Sequence, residues 1–428
     1  MRIAMLTNNY KPFVGGVPIS VERQAKELVK LGHQVMVFAP EYKELPQDCD
    51  EYSEEHVIRY RTSRRKMDNG MVYPRMISRE ILEAFETEKF DCIHVHHPMY
   101  VGPMALYLGK RYNLPVIYTY HTKYEDYLHY IRLFENVEER SAARQNVYRF
   151  GKEKLVPGYM KWFTNQCDLI LAPTASMQEA MRKGGTKTPT AVFPTGLEDS
   201  FYIKDEEKSA ELREKYLQGR KHLFCSVSRL EAEKNPKFLL RGIARLKERM
   251  DESFRLLLIG EGSMRDELEE MAAELGISEE VVFVGNVENT EMKHYLNACE
   301  LFLFASKSET QGIVLAEAFA AGNPVVAVKA TGVEDIVADG KNGYMTNEDI
   351  EEWTGKVLEA LNEERYQKLK QQAEITAAGF RSSSLAVYEE LLYTQCINQR
   401  KEEGREYENE TNWAGNLSAS IYRLFKAS

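Results

Sequence analysis

Residues 2–39 read RIAMLTNNYKPFVGGVPISVERQAKELVKLGHQVMVFA, and this stretch decides the fold. Residues 2–7 form a short, almost wholly apolar strand, and a loop carrying Gly15-Gly16 follows. Pro18 suits the first turn of a helix, where the amide it lacks would have had no partner. Val21, Ala25, Leu28 and Val29 then recur at helical spacing, and Gly32 fits the position just past a helix end. Residues 34–39 return to a continuous apolar run. Strand, glycine-bearing turn, helix and strand make one βαβ unit. Strands apolar on both faces need cover on both faces, which means a parallel sheet between helices.

Further runs at 92–95, 116–120 and 169–172 extend this sheet. The pattern restarts after Pro194-Thr195-Gly196, with strands at 223–227, 255–259, 281–284, 301–304 and 324–328 and helices at 238–247 and 264–275. The expected fold class is therefore α/β, two doubly wound Rossmann-like domains spanning 1–196 and 199–396. Such sheets bind ligands outside the carboxyl ends of their strands, so the cleft between the domains is the expected site. Residues 397–412 are polar, and Trp413, Leu417, Ile421, Leu424 and Phe425 then form an apolar stripe. That stripe predicts a final helix, about 413–428, packed on the first domain or touching a membrane.

Composition narrows the function. With 428 residues, 43% of them hydrophobic, the chain is expected to be globular and multidomain. No apolar run reaches the roughly 18 residues of a spanning helix. The first residues read as a strand and not as a signal peptide, and the six cysteines are scattered without a C-x-x-C pair, so a cytoplasmic protein is expected. A net charge of −10 argues against a general nucleic-acid binder. The charge is uneven: residues 1–197 hold 27 Lys+Arg against 23 Asp+Glu, and residues 198–428 hold 29 against 43. The two halves are expected to meet different partners.

Three stretches carry chemistry. Gly15-Gly16 opens a helix, where glycines let backbone approach a phosphate and the helix terminus favours an anion; a plain tight turn is the alternative. A G-x-G-x-x-G is absent, which lowers a dehydrogenase reading. Arg229 and Lys234 lie in the loop after the strand at 223–227, where a planar fork and a point charge can grip a diphosphate. In Ser308-Glu309-Thr310-Gln311-Gly312-Ile313-Val314-Leu315-Ala316-Glu317, two carboxylates stand eight residues apart at a loop-to-helix junction. Amides of residues 310–313 are expected to face a phosphate or sugar oxygen. Glu317 is expected about two turns inside a largely buried helix, where an unpaired charge would cost several kcal/mol. His94, His96 and His97 suit a packed turn better than a metal site.

Together these residues identify the chain as similar to retaining glycosyltransferases of the GT-B fold, family 4. The carrying features are Gly15-Gly16, His121, Arg229 with Lys234, and the E-x7-E pair Glu309/Glu317. Tyr118-Thr119-Tyr120-His121-Thr122-Lys123-Tyr124-Glu125-Asp126-Tyr127 resembles a segment of bacterial diacylglycerol glucosyltransferases, as do Pro194-Thr195-Gly196-Leu197-Glu198 and the Thr310-Gln311-Gly312 form of the glutamate loop.

The resemblance implies an N-terminal acceptor domain and a C-terminal nucleotide-sugar domain. It implies donor binding by Gly15, Gly16, Arg229, Lys234, Glu309, Thr310, Gln311, Gly312, Ile313 and Glu317. Glu309 is expected on the sugar, Glu317 on the ribose, and His121 facing the donor sugar as a catalytic residue with Glu309, Arg229 and Lys234. No metal and no cofactor are expected, with UDP-glucose as donor substrate. Tyr124 and Tyr127 are expected near the acceptor, and Arg61, Arg64, Arg65 and Lys66, with Arg59, against an anionic membrane surface, because cations near such a leaflet gain ~1 kcal/mol each. The expected enzyme is a retaining hexosyltransferase acting on diacylglycerol or a glycolipid at the inner face of the cell membrane. A soluble or polyprenyl acceptor, a UDP-sugar epimerase and a non-catalytic nucleotide-sugar sensor are the rivals.

Overall fold

A computed structural model describes residues 1–13, 15–42, 56–66, 72–75, 78–121, 148–250, 252–307, 309 and 311–402, with 64–66 and 73 described through their backbone alone. The chain divides into two compact units, Met1–Pro194 with the chain from Leu385 onward, and Thr195–Ser384.

The first unit carries β1 (Arg2–Leu6), β2 (Gln34–Pro40), β3 (Val57–Tyr60), β4 (Thr62–Lys66), β5 (Val72–Pro74), β6 (Cys92–Val95), β7 (Val116–Thr119), β8 (Leu169–Ala172) and β9 (Thr190–Val192). Seven of them form a parallel sheet in the order β3-β2-β1-β6-β7-β8-β9, and β4 and β5 make a separate antiparallel ribbon. The order reverses at β1, which pairs with β2 through Ile3↔Val35 and with β6 through Ile3↔Cys92. Alternate residues of β1 serve opposite cores: Ala4 and Leu6 join Phe38, Ile93, Val95 and Phe163 on one face, Ile3 and Met5 join Val21, Leu28 and Val37 on the other.

That second face is completed by a helix from the far end of the chain. Helix Ser382–Glu402 buries Leu385, Leu392, Tyr393, Cys396 and Ile397 in the core of Ile3 and Met5. The expected domain boundary at residue 396 therefore differs from the structural one at Ser384. The reason is a stripe at helical spacing that finds its apolar partner on β1 and not on the second sheet. The expected helix at 413–428 lies outside the described residues.

The second unit carries β10 (His222–Val227), β11 (Phe254–Ile259), β12 (Val281–Gly285), β13 (Leu301–Phe304), β14 (Val325–Val328) and β15 (Gly343–Thr346). They form one parallel sheet in the order β12-β11-β10-β13-β14-β15. The order reverses at β10, which pairs with β11 and, through Phe224↔Leu301, with β13. Leu223, Cys225, Leu257 and Ile259 point into one core, Phe224, Leu256 and Leu258 into the other. Both sheets thus place a switch point, where ligands of this fold class bind, at the ends of the strands that carry the sequence motifs.

Candidate active site

In the second unit, the loop after β10 and the loop after β13 meet. Lys234 Nζ donates to Glu309 Oε1 at 2.5 Å, with each side chain only 15% exposed. The Lys307 amide donates to the Glu233 carbonyl at 3.0 Å. Glu348 accepts from both Lys307 Nζ at 2.7 Å and Asn235 Nδ2 at 3.0 Å. The Lys307 ammonium holds the Glu348 carboxyl below the usual range. On the other side Glu231 accepts from the Ser263 amide and hydroxyl at 2.9 and 2.7 Å, tying in the loop after β11. The loops after β10, β11 and β13, with Glu348 from the loop after β15, are thereby one hydrogen-bonded unit.

Glycines set the close approaches. Gly332, at φ +83°, passes so near Glu309 that a Cβ there would lie 2.7 Å from its carbonyl oxygen. Gly312, at φ +65°, turns the chain into helix Ile313–Ala320 in a left-handed conformation that side chains disfavour. The first-turn amides of Ile313 and Val314 have no helical acceptor, as at any helix start. Glu317 is 9% exposed, in line with a buried carboxylate. The helix begins at Ile313, so Glu317 stands little more than one turn inside it, not two.

Two of the expected donor-loop side chains already have partners within the unit. The Gln311 side chain accepts from the Thr195 amide at 2.9 Å and donates to its carbonyl at 3.2 Å. Its carboxamide is thus occupied within the unit and braces the start of the chain segment at Thr195. Arg229 is exposed and donates to Glu233 at 2.7 Å, so it shares the loop with Lys234 but holds a carboxylate of its own. Thr310 lies outside the described residues.

In the first unit, His121 follows β7 and is half-buried. Its Nε2 is 2.9 Å from His96 Nδ1. Burial lowers His121 to about 4, so its ring is neutral at pH 7. His97 accepts from the Asn8 amide at 3.1 Å, and Asn8 in turn donates to the Met99 carbonyl, which is the packed turn expected of it. Gly15 and Gly16 stand at the start of helix Gly16–Lys30. Among the described residues, a Cβ on Gly16 would meet nothing within 4 Å, so none of them demands a glycine there.

The two side chains of the basic group that are described, Arg59 and Arg61, have different surroundings. Arg59 donates to the Lys11 and Pro40 carbonyls and lies over the Tyr10 ring at 5.7 Å, so it is an internal brace and not a membrane contact. Arg61 is exposed and 3.3 Å from Glu80. Arg64, Arg65 and Lys66 fall on β4, and their side chains, like Tyr124 and Tyr127, lie outside the described residues. Among the described residues, no helix is long and apolar enough to cross a membrane. Sequence reading gave His96 to a packed turn and not to the site, and it missed Glu348 and Lys307, and the buried pair Glu389 and Tyr393 on the return helix.

Comparison with known proteins agrees with this arrangement. Residues 14–201 match the model "Glycosyltransferase Family 4" and residues 208–376 match "Glycosyl transferases group 1". An alpha-monoglucosyldiacylglycerol synthase of Streptococcus pneumoniae is 30% identical over 368 residues, covering 84% of this chain and 78% of that protein. One of the same name from Acholeplasma laidlawii is 26% identical, covering 93% and 98%. Among solved structures, Anabaena HepE in complex with UDP superposes with a TM-score of 0.68 at 18% identity, over 92% of this chain and all of that one, a likeness of fold. Two parallel-sheet Rossmann-like units, motif-bearing loops at both switch points and these matches make the chain a member of the GT-B glycosyltransferases of group 1, family 4.

Proposed function

We propose that the protein transfers glucose from UDP-glucose to diacylglycerol or a glycolipid, with retention at the anomeric carbon, at the cytoplasmic face of a membrane. The observation that carries this reading is the Lys234–Glu309 pair at the ends of β10 and β13. It sets a cation suited to a diphosphate beside a carboxylate suited to sugar hydroxyls, next to the start of helix Ile313–Ala320. The two similar synthases, by name, supply the acceptor class.

In this reading Lys234, Arg229 and the first-turn amides of Ile313 and Val314 stabilise charge that develops on the departing diphosphate. These groups supply the positive charge, and no metal or cofactor is required. Glu309 leaves Lys234 for the sugar hydroxyls as the phosphates arrive, and Glu317 holds the ribose. Gly15 and Gly16 leave room for the donor, and the neutral His121 hydrogen-bonds the sugar. Transfer on one face lets a leaving phosphate oxygen take the acceptor proton. Membrane contact is supported by the exposed Phe150 and Leu155, interleaved with Arg149 and Lys154.

The test is incubation with radiolabelled UDP-glucose and dioleoylglycerol in anionic vesicles, beside GDP-mannose and soluble-sugar arms. Label in a chloroform-soluble, α-glucosidase-sensitive product is expected. Label that stays water-soluble, or that enters lipid only from GDP-mannose, overturns the reading.

A further inference from the structure

A line of buried polar groups runs through the first unit from the return helix to His121. Tyr393 hydroxyl is 2.6 Å from Glu389 Oε1 and 2.6 Å from His94 Nδ1. His94 Nε2 is 2.6 Å from the hydroxyl of Thr119, the last residue of β7 and two before His121. The His94 ring centroid is 4.1 Å from that of His96, whose Nδ1 bonds His121. Glu389, Tyr393, His94 and His96 are all 0% exposed.

Proton counting gives this line a direction. Tyr393 has one hydroxyl proton and two close partners, so one partner must donate. If Glu389 were ionised, a carboxylate would be buried with Tyr393 as its hydrogen-bond donor and Oε2 without a partner among the described residues, at a cost of several kcal/mol. A protonated Glu389 avoids that. Its O–H donates to Tyr393, Tyr393 donates to His94 Nδ1, and His94 Nε2–H donates to Thr119. The groups facing Glu389 agree: Tyr393 on its own helix, and His94 and Cys92 on β6, bring no cationic charge, since burial lowers His94 to about 3 and raises the Cys92 thiol. Burial likewise pushes Glu389 up to about 8.

We propose that Glu389 and Tyr393 are positioning residues for His121, fixing the His94 tautomer and with it both the end of β7 and the His94–His96 stack that orients the His121 ring. The inference rests on the reading of His121 as a donor-sugar contact. It gives the C-terminal helix a part in transfer that its place outside the motif loops would not suggest.

The experiment compares His121→Ala, Tyr393→Phe, Glu389→Ala and Glu389→Gln in the full chain, with UDP-glucose and dioleoylglycerol. Tyr393→Phe keeps the ring and its packing, and Glu389→Gln keeps a donor. The expected result is a kcat loss of about tenfold or more in His121→Ala, Tyr393→Phe and Glu389→Ala, with the UDP-glucose KM changed less than about threefold. Glu389→Gln is expected to restore kcat to within about threefold of the parent. Nitrogen-15 shifts should report His94 as the Nε2–H tautomer, lost in Tyr393→Phe. If Glu389→Ala fails to fold, Tyr393→Phe and the His94 shifts decide. An inactive His121→Ala beside a fully active Tyr393→Phe overturns the positioning role and leaves the reading of His121 intact. A fully active His121→Ala overturns that reading, and positioning through His121 falls with it.

Discussion

Lys234 Nζ lies 2.5 Å from Glu309 Oε1, joining the loop after β10 to the loop after β13. On the proposed reading, a diphosphate arriving at Lys234 would compete with a carboxylate already there, and would free Glu309 for the sugar hydroxyls. One ion pair would then link the groups proposed for the two ends of the donor.

The coupling separates the two glutamates. Glu309→Gln removes the competitor of the phosphates, so UDP alone should bind at least as tightly as to the parent while transfer falls by about tenfold or more. Glu317→Ala should weaken UDP itself, because a buried carboxylate holding the ribose loses a charged hydrogen bond of ~1.5–3 kcal/mol. Calorimetric titration with UDP checks both. Equal weakening in the two variants would contradict the division of roles.

Gly16 offers a test in which stability and activity move apart. The residue heads helix Gly16–Lys30, and among the described residues a Cβ there meets nothing within 4 Å. Gly16→Ala should therefore leave the melting temperature unchanged or raise it, through ~0.4–1 kcal/mol of unfolded-chain entropy. The donor KM should nevertheless rise about tenfold if that space belongs to the donor. A melting temperature that falls would mean that backbone conformation, and not ligand space, selects glycine at this position.

Much of this was legible in the sequence because each strand is apolar on both faces. The expected runs at 223–227, 255–259 and 301–304 match β10, β11 and β13 closely. The motif loops were legible for the same reason, since a parallel sheet fixes which end of each strand holds its loop. The contact between Lys234 and Glu309 was not, because β10 and β13 become neighbours only by a crossover that skips β11 and β12. Helix Ser382–Glu402 hid its role likewise: Leu392, Tyr393 and Cys396 need β1, at the opposite end of the chain, to show which face is core. Arg59 misled as part of a basic run, because its carbonyl partners on Lys11 and Pro40 are not local.

Membrane contact should depend on both charge and apolar tips. Phe150 and Leu155 are 61% and 64% exposed beside Arg149 and Lys154. Binding to anionic vesicles should weaken as salt shortens the Debye length from ~10 Å at 0.1 M to ~3 Å at 1 M. Phe150→Ser with Leu155→Ser should reduce vesicle sedimentation at low salt, and Arg64→Glu with Arg65→Glu should abolish it, while UDP binding persists in both. Failure to sediment with anionic vesicles at low salt would favour a soluble acceptor.

Glu389 gives the clearest pH dependence. Its folded pKa of about 8 stands above the ordinary 4.5 because burial penalises the charged form. Between those values the folded chain keeps a proton that the unfolded chain releases. Stability from this group is therefore fully present below about 4.5, falls as pH rises through the window, and is flat above about 8. Glu389→Gln cannot ionise in either state, so it should escape that loss. The variant should gain on the parent by ~1.4 kcal/mol per pH unit between about pH 5 and pH 8, reaching about 3 kcal/mol near neutrality. Parallel melting curves of the two proteins at about pH 5, 6, 7 and 8 measure the difference, in which every other titrating group cancels. A difference that does not change with pH would mean that Glu389 is ionised in the folded chain, and the direction assigned to the Tyr393–His94 hydrogen bond would have to be reversed.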